Sequence, residues 1–284
     1  MKRILVTGAN GQLGKSIAEL AKEYQHFDYL FTTRNELDIT NEQAVDTFFK
    51  QNTIDFVVNC AAYTAVDQAE DEQENAQLVN EIATKFLAKA CNEKDIPFIH
   101  ISTDYVFDGT ASEPRIETDQ TNPIGVYGQT KLEGEKLALK LNPKTIVIRT
   151  AWVYSRFGNN FVKTMLRLFK EKESISVVSD QIGSPTNAID LAKVILDILS
   201  KENLTYGIFH YSNEGECSWF EFAQKIKEYS HSSIQINPVP TSAYPIKAKR
   251  PAYSLLDKTK IKTTFNLEVP HWEVSLKNEM KQLV

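Results

Sequence analysis

The chain has 284 residues, 42% of them hydrophobic, and a formal net charge of −5, enough for one large α/β domain with a smaller one appended. The acidic balance repels a phosphate backbone over most of the surface and argues against nucleic-acid binding. The three cysteines, Cys60, Cys91 and Cys217, are odd in number and lack metal-ligand spacing, so neither a disulfide framework nor a zinc site is indicated. The apolar run before Thr7 is too short for a signal-peptide core and no later stretch approaches a membrane span, so a cytoplasmic setting is expected.

Residues 3–7 form an apolar run followed at once by glycines and then by Leu13, Ile17, Leu20 and Ala21 at helical spacing, the pattern of strand, tight turn and helix. The alternation repeats: a strand at 29–32, a helix at 41–51, a strand at 56–58, a long helix at 75–93, a strand at 97–102, a helix at 129–141 and a strand at 145–149. Strands apolar on both faces and separated by helices predict a Rossmann-like, doubly wound parallel sheet. Beyond residue 150 the rhythm loosens, with a helix at 160–171, a sixth strand at 175–178 and a helix at 188–200. The segment 207–211, a helix at 218–229, a proline-rich stretch (Pro238, Pro240, Pro245, Pro251) and two short terminal helices read as a smaller lobe. The expected division is therefore a dinucleotide-binding domain over 1–150, to which about 174–200 returns, and a mainly substrate-binding α/β lobe over 151–284.

Gly8-Ala9-Asn10-Gly11-Gln12-Leu13-Gly14 links the first strand to the first helix. Glycines here let backbone N–H groups approach a pyrophosphate at a helix N-terminus. The spacing is one residue longer than the standard fingerprint, and its strand–turn–helix context gives it weight. After the second strand, where an acidic residue would bind the adenosine ribose, stand Thr32, Thr33 and Arg34. A guanidinium pairs with a 2′-phosphate that a carboxylate would repel, so NADP is expected, with NAD as the alternative. Asp38 and Ile39 are expected beside the adenine.

Tyr127 and Lys131 are four residues apart, which puts both on one helix face. A nearby cation stabilises a phenolate and lowers the tyrosine pKa from about 10. Thr103 ends the fourth strand at the carboxyl edge, where open α/β sheets bind ligands; its hydroxyl suits a substrate carbonyl.

These features resemble an extended short-chain dehydrogenase/reductase. More narrowly, Ala61-Ala62-Tyr63-Thr64-Ala65-Val66-Asp67, Ser102-Thr103-Asp104-Tyr105-Val106-Phe107, Arg149-Thr150-Ala151-Trp152-Val153-Tyr154, Gly158-Asn159-Asn160-Phe161 and Arg250-Pro251 resemble the dTDP-4-dehydrorhamnose reductases over nearly the whole chain. The resemblance implies hydride transfer to the C4 ketone of dTDP-4-dehydro-L-rhamnose, giving dTDP-L-rhamnose. Tyr127 would be the proton donor, Thr103 would hold the oxygen and Lys131 would also bind the nicotinamide ribose. It places Ala61, Ala62 and Tyr63 along the cofactor, and Tyr105, Phe107, Trp152, Asn160 and Arg250 around the substrate, with Lys247 and Lys249 adding positive charge beside Arg250.

Two other functions share the scaffold: a sugar-nucleotide epimerase, and a non-catalytic cofactor-binding subunit of the methionine adenosyltransferase type. The acidic pair that follows the threonine in dehydratases is missing, since Asp104 is followed by Tyr105. Some family members dimerise around a magnesium ion held by glutamates, but Lys15, Ser16 and Ile189 occupy those neighbourhoods here. A homodimer is therefore not expected to be metal-bridged, and no metal site is assigned. The acidic run from Asp67 to Glu74 reads as a solvated helix end.

Overall fold

The computed structural model describes residues 1–244 and 247–284; Pro245 of the proline-rich stretch lies outside them. In chain order the first half comprises β1 (Lys2–Thr7), α1 (Gln12–Leu20), β2 (Phe27–Thr32), α2 (Glu42–Gln51), β3 (Phe56–Asn59), the short α3 (Val66–Ala69) and α4 (Gln73–Gln77), α5 (Ala83–Glu93), β4 (Phe98–Thr103), α6 (Val126–Leu141) and β5 (Thr145–Thr150). The second half holds β6 (Val153–Tyr154), α7 (Phe161–Glu171), β7 (Ser174–Val178), β8 (Ile182–Gly183), β9 (Thr186–Asn187), α8 (Ala188–Leu199), β10 (Gly207–His210), β11 (Cys217–Ser218), α9 (Trp219–Tyr229), β12 (Gln235–Val239), α10 (Thr259–Phe265) and α11 (Trp272–Met280).

Six parallel strands form the main sheet in the order β10-β5-β4-β3-β1-β2. Because successive side chains of a strand point to opposite faces, each apolar strand feeds two cores. Ile4, Val6, Phe56, Val58, Ile99 and Phe209 pack with α1, α8 and α10, while Leu5, Val57 and Phe98 pack with α2 and α5. The chain leaves β1 for β2 on one side and returns to β3 on the other, so a crevice opens at the carboxyl ends of β1 and β3, the topological switch point.

Two expectations are corrected. The strand at 175–178 forms as β7 but pairs with β12 instead of returning to the main sheet, and the sixth strand of that sheet is β10, which was expected in the smaller lobe. Of the segment 174–200, it is α8 that returns, lying against α1. A core of its own, built from Val162, Met165, Val177, Phe222, Ile226, Ile236, Trp272 and Leu276, gathers α7, β7, α9, β12 and α11.

Candidate active site

The glycine turn is dictated by close approach. Gly8 has φ +66°, and a Cβ there would lie 2.6 Å from the backbone nitrogen of Ala61, so a side chain would push β1 away from β3. Gly11 N–H bonds the Gly8 carbonyl at 2.9 Å. Gly11 offers α1 no side-chain cap, which leaves first-turn donors for an anionic group. Gly8, Asn10, Gly11, Arg34, Asp38, Ile39, Ala61 and Ala62 line one cleft of about 360 Å³, joined by Thr33, Leu37, Thr40, Cys60 and Val79. An apolar slot beside uncapped helix donors fits an adenine dinucleotide. Asp38 accepts from the backbone and hydroxyl of Thr40 at 3.0 and 2.6 Å, and these bonds hold its carboxyl below the usual range. Arg34 stands exposed at the rim, 3.4 Å from Asp38.

Four residues of the expected cofactor set, Gln12, Leu13, Gly14 and Tyr63, make contacts within the protein. Leu13 and Gly14 are buried on the inner face of α1. Gln12 reaches across to the second half, accepting from Ser155 Oγ at 3.0 Å and from Asn160 Nδ2 at 2.9 Å. Tyr63 is tied by its backbone N–H to Asn80 Oδ1 at 2.9 Å. Asn80 sits in a π turn, Leu78–Ile82, within the expected helix 75–93. Its amide also bonds the Tyr63 carbonyl and Thr130 Oγ1, both at 3.1 Å, so one buried amide ties the cofactor loop to α6.

Helix α6 begins at Val126, whose N–H bonds the Glu70 carboxylate at 2.9 Å. The lack of a side chain at Gly128 is decisive for the site, because a Cβ there would collide with the Tyr105 carbonyl. That absence lets α6 lie against the turn after β4. Tyr127 therefore meets Tyr105 edge to face at 5.5 Å, with the Thr103 hydroxyl close enough to favour its phenolate. Thr103 is buried, bonds Asp104 Oδ1 at 3.0 Å and accepts from Tyr105 N–H at 3.2 Å. Burial raises the Tyr127 phenol, opposed by the nearby Thr103 hydroxyl and reinforced by Asp104 and Tyr105.

This reverses the expectation that Lys131 lowers the phenol. The reason is where Nζ goes: it donates to the Ile101 carbonyl at 2.6 Å and lies 3.5 Å from His100 Nε2. Lys131 is 2% exposed, and burial, opposed by Glu135, brings its ammonium down to about 8. Asp104, with Oδ2 buried and unpartnered, is pushed up to about 6 by burial.

The opposite wall is mixed. Trp152, in the left-handed region at φ 48°, stacks on Trp219 with centroids 3.6 Å apart and planes 13° apart. Trp219 was not singled out by sequence, and no pattern in its neighbourhood marked it. Arg250 pairs with Asp67 at 2.6 Å and donates to Tyr105 Oη at 3.3 Å, while Lys247 pairs with Asp71. Asp67 and Asp71 are thus ion-pair partners of the 247–250 segment, correcting their reading as a merely solvated helix end.

Two substrate expectations fail. Phe107 is 3% exposed, held in the core against Arg149, Arg115 and His210. Asn160 caps α7 by accepting from Lys163 N–H at 3.1 Å and donates to Ser155 O at 2.6 Å as well as to Gln12, so its amide is committed within the protein. Sequence reading also missed Asn59 and His100, whose signal was available: polar residues inside strands that are otherwise apolar.

Among the described residues no group of three or more His, Cys, Asp or Glu side chains is arranged to hold a metal ion, and no helix is long and apolar enough to cross a membrane. A switch-point crevice with a glycine turn, beside a tyrosine, a lysine and a threonine at one sheet edge, defines the class of Rossmann-type oxidoreductases. The family model described as the RmlD substrate binding domain matches residues 1–284. The chain belongs to the dTDP-4-dehydrorhamnose reductase family. It is 43% identical to the dTDP-4-dehydrorhamnose reductase of Aggregatibacter actinomycetemcomitans, over 98% of each chain. The crystal structure of such a reductase from Clostridium acetobutylicum superposes with a TM-score of 0.95 at 43% identity, covering 99% of each chain. That of the Bacillus anthracis reductase in complex with NADP gives 0.95 at 41%, covering 99% of this chain and 100% of that one.

Proposed function

We propose that this protein reduces the C4 ketone of dTDP-4-dehydro-L-rhamnose to dTDP-L-rhamnose, with Tyr127 as the proton donor. The observation that carries this reading is the packing of Tyr127 on Tyr105, whose N–H bonds the buried Thr103 hydroxyl, with the buried Lys131 one turn on along α6 at the carboxyl edge of the sheet. NADPH, when bound, supplies the hydride. Gly8, Gly11, Ala61 and Ala62 would hold it, and Arg34 at the rim suits a 2′-phosphate, in keeping with the NADP complex of the Bacillus anthracis relative.

The remaining chemistry belongs to side chains of the chain itself. A phenol raised by burial stays protonated through the neutral range, which is the state a proton donor needs. The Thr103 hydroxyl beside it suits the same substrate oxygen, donating as negative charge develops there. The flat Trp152–Trp219 pair offers an apolar face to a deoxysugar. Arg250, held by Asp67 and Tyr105, offers donors for a diphosphate.

The test is oxidation of NADPH by the purified protein with dTDP-4-dehydrorhamnose, run beside other 4-keto sugar nucleotides, with the product identified by NMR. Stoichiometric cofactor consumption and dTDP-rhamnose are expected. An epimerase would return its hydride and consume no cofactor, and that result would refute the proposal.

A further inference from the structure

The glycine turn and the wall that carries Trp152 meet through one side chain. Gln12 is the first residue of α1, at the end that Gly11 leaves without a side-chain cap. Its amide reaches into the segment 153–160, which runs from β6 to the start of α7. Gln12 Oε1 lies 3.0 Å from Ser155 Oγ and 2.9 Å from Asn160 Nδ2, and Gln12 Nε2 lies 3.4 Å from the Val153 carbonyl.

One backbone group sets the direction of these bonds. Lys163 N–H can only donate, and it donates to Asn160 Oδ1 at 3.1 Å. The other arm of that amide is therefore the NH2, which serves Gln12 and the Ser155 carbonyl, the latter at 2.6 Å. The Gln12 atom facing it must accept, so it is the oxygen. The Gln12 NH2 is left to the Val153 carbonyl, which can only accept. Turning either amide over would set donor against donor or acceptor against acceptor.

Val153 follows Trp152, whose backbone stands in the left-handed region at φ 48°. An aromatic residue keeps that conformation only where its surroundings impose it. Thr186 N–H bonds the Trp152 carbonyl at 3.2 Å, the indole stacks on Trp219, and one residue on the Val153 carbonyl meets Gln12. Arg156 ties the same segment to Glu19, two turns further along α1, and to Glu279 of α11. Those ion pairs hold the segment against α1 whether or not Gln12 keeps its polar end.

We propose that Gln12 is a positioning residue that couples the cofactor turn to the substrate wall. Its backbone stands at the N-terminus of α1, where the pyrophosphate would bind, and its side chain sets the Val153 peptide and, through it, Trp152. A dinucleotide that orders the turn orders the Gln12 amide, and a sugar nucleotide that then meets Trp152 has less left to order. By linkage the effect is reciprocal, so the two ligands bind with positive coupling. The proposal rests on the readings of the glycine turn and of Trp152 given above.

The test compares the full chain with Gln12→Met, which keeps the side-chain length and removes its polar end. Hydrogen-exchange mass spectrometry with saturating NADP is expected to slow exchange in the unmodified protein by about fivefold or more, both at 8–14 and at 153–164. In Gln12→Met the slowing should persist at 8–14 and fall below about twofold at 153–164. Calorimetry should agree: NADP tightens the binding of dTDP-L-rhamnose by about fivefold or more in the unmodified protein and by less than about twofold in the variant. In turnover the KM for the sugar nucleotide should rise more than the KM for NADPH. Asn160→Asp is the second variant. It keeps the cap on α7 but offers Gln12 only an acceptor, which turns the Gln12 amide over and sets its oxygen against the Val153 carbonyl, so the coupling should be lost there too. Slowing at 153–164 that survives in either folded variant, or that is missing in the unmodified protein, would overturn the proposal. If the unmodified protein neither binds nor forms dTDP-L-rhamnose, the proposed reaction fails instead, and the exchange measured with NADP alone still tests the coupling.

Discussion

The main sheet and the region gathered around α7, α9 and α11 hold their functional side chains by different means. In the sheet, register alone brings Thr7, Asn59 and His100 into one row, because β1, β3 and β4 are neighbours with fixed partners. In the other region the strands are mostly two residues long, and polar clamps do the positioning. Arg156 joins Glu19 of α1 to Glu279 of α11 at 3.1 and 3.0 Å, Asn160 caps α7, and Arg250 is held by Asp67. On the proposed reading, proton chemistry would fall to the sheet half and substrate contacts to the clamped half. Mutations in the first should therefore strike kcat, and mutations in the second KM or stability.

The sharpest contrast comes from Tyr127→Phe, which is expected to reduce kcat by about 10²–10⁴-fold while NADP affinity, measured by calorimetry, stays within about threefold. An equal loss of both would blur the distinction between the halves. Next is Arg156→Ala. It leaves Glu279, 2% exposed, with a carboxylate bonded to Asn187 at 3.3 Å but without its cation, and urea unfolding should show a loss of about 3 kcal/mol. Replacing both partners by methionine should recover most of it.

Acid should weaken the sheet half through its buried histidines. Burial and Arg149 bring His210 from 6.5 to about 3, and His100 is lowered in the same direction. Both stay neutral when folded but take up protons when unfolded below about pH 6.5, so the unfolded state binds more protons and stability falls as pH drops. By about pH 5 His210 accounts for up to about 2 kcal/mol, and His210→Gln should flatten the dependence measured by urea unfolding. The smallest effect is that of Arg34→Ala, whose exposed position makes a loss of NADP over NAD preference of about tenfold or less the expected outcome. An unchanged affinity ratio would remove Arg34 from cofactor choice.

The same contrast governs how much was legible in the sequence. Uninterrupted apolar runs such as Arg3–Thr7 and Thr145–Arg149 announced the sheet, because a strand buried on both faces has little freedom of composition. The glycine turn and the spacing of Tyr127 and Lys131 announced the site. Strand pairing beyond residue 150 was illegible, since β7 and β10 are both short apolar runs and only tertiary packing sends one to β12 and the other to β5. Nor could spacing tell that Lys131 would turn to Ile101, that Phe107 would be walled in by two arginines, or that Asn160 would be used as a cap. Those outcomes depend on neighbours distant in sequence.

The central claim is that Tyr127 protonates the oxygen of a C4 ketone as hydride arrives at that carbon. It is tested most directly by supplying NADPH carrying deuterium at the transferred position of nicotinamide C4 with dTDP-4-dehydrorhamnose and reading the product by NMR. One deuterium at sugar C4 per cofactor oxidised, formed at least about a hundredfold more slowly by Tyr127→Phe, is the expected result. Deuterium elsewhere in the sugar, or equal transfer by the phenylalanine variant, would contradict it.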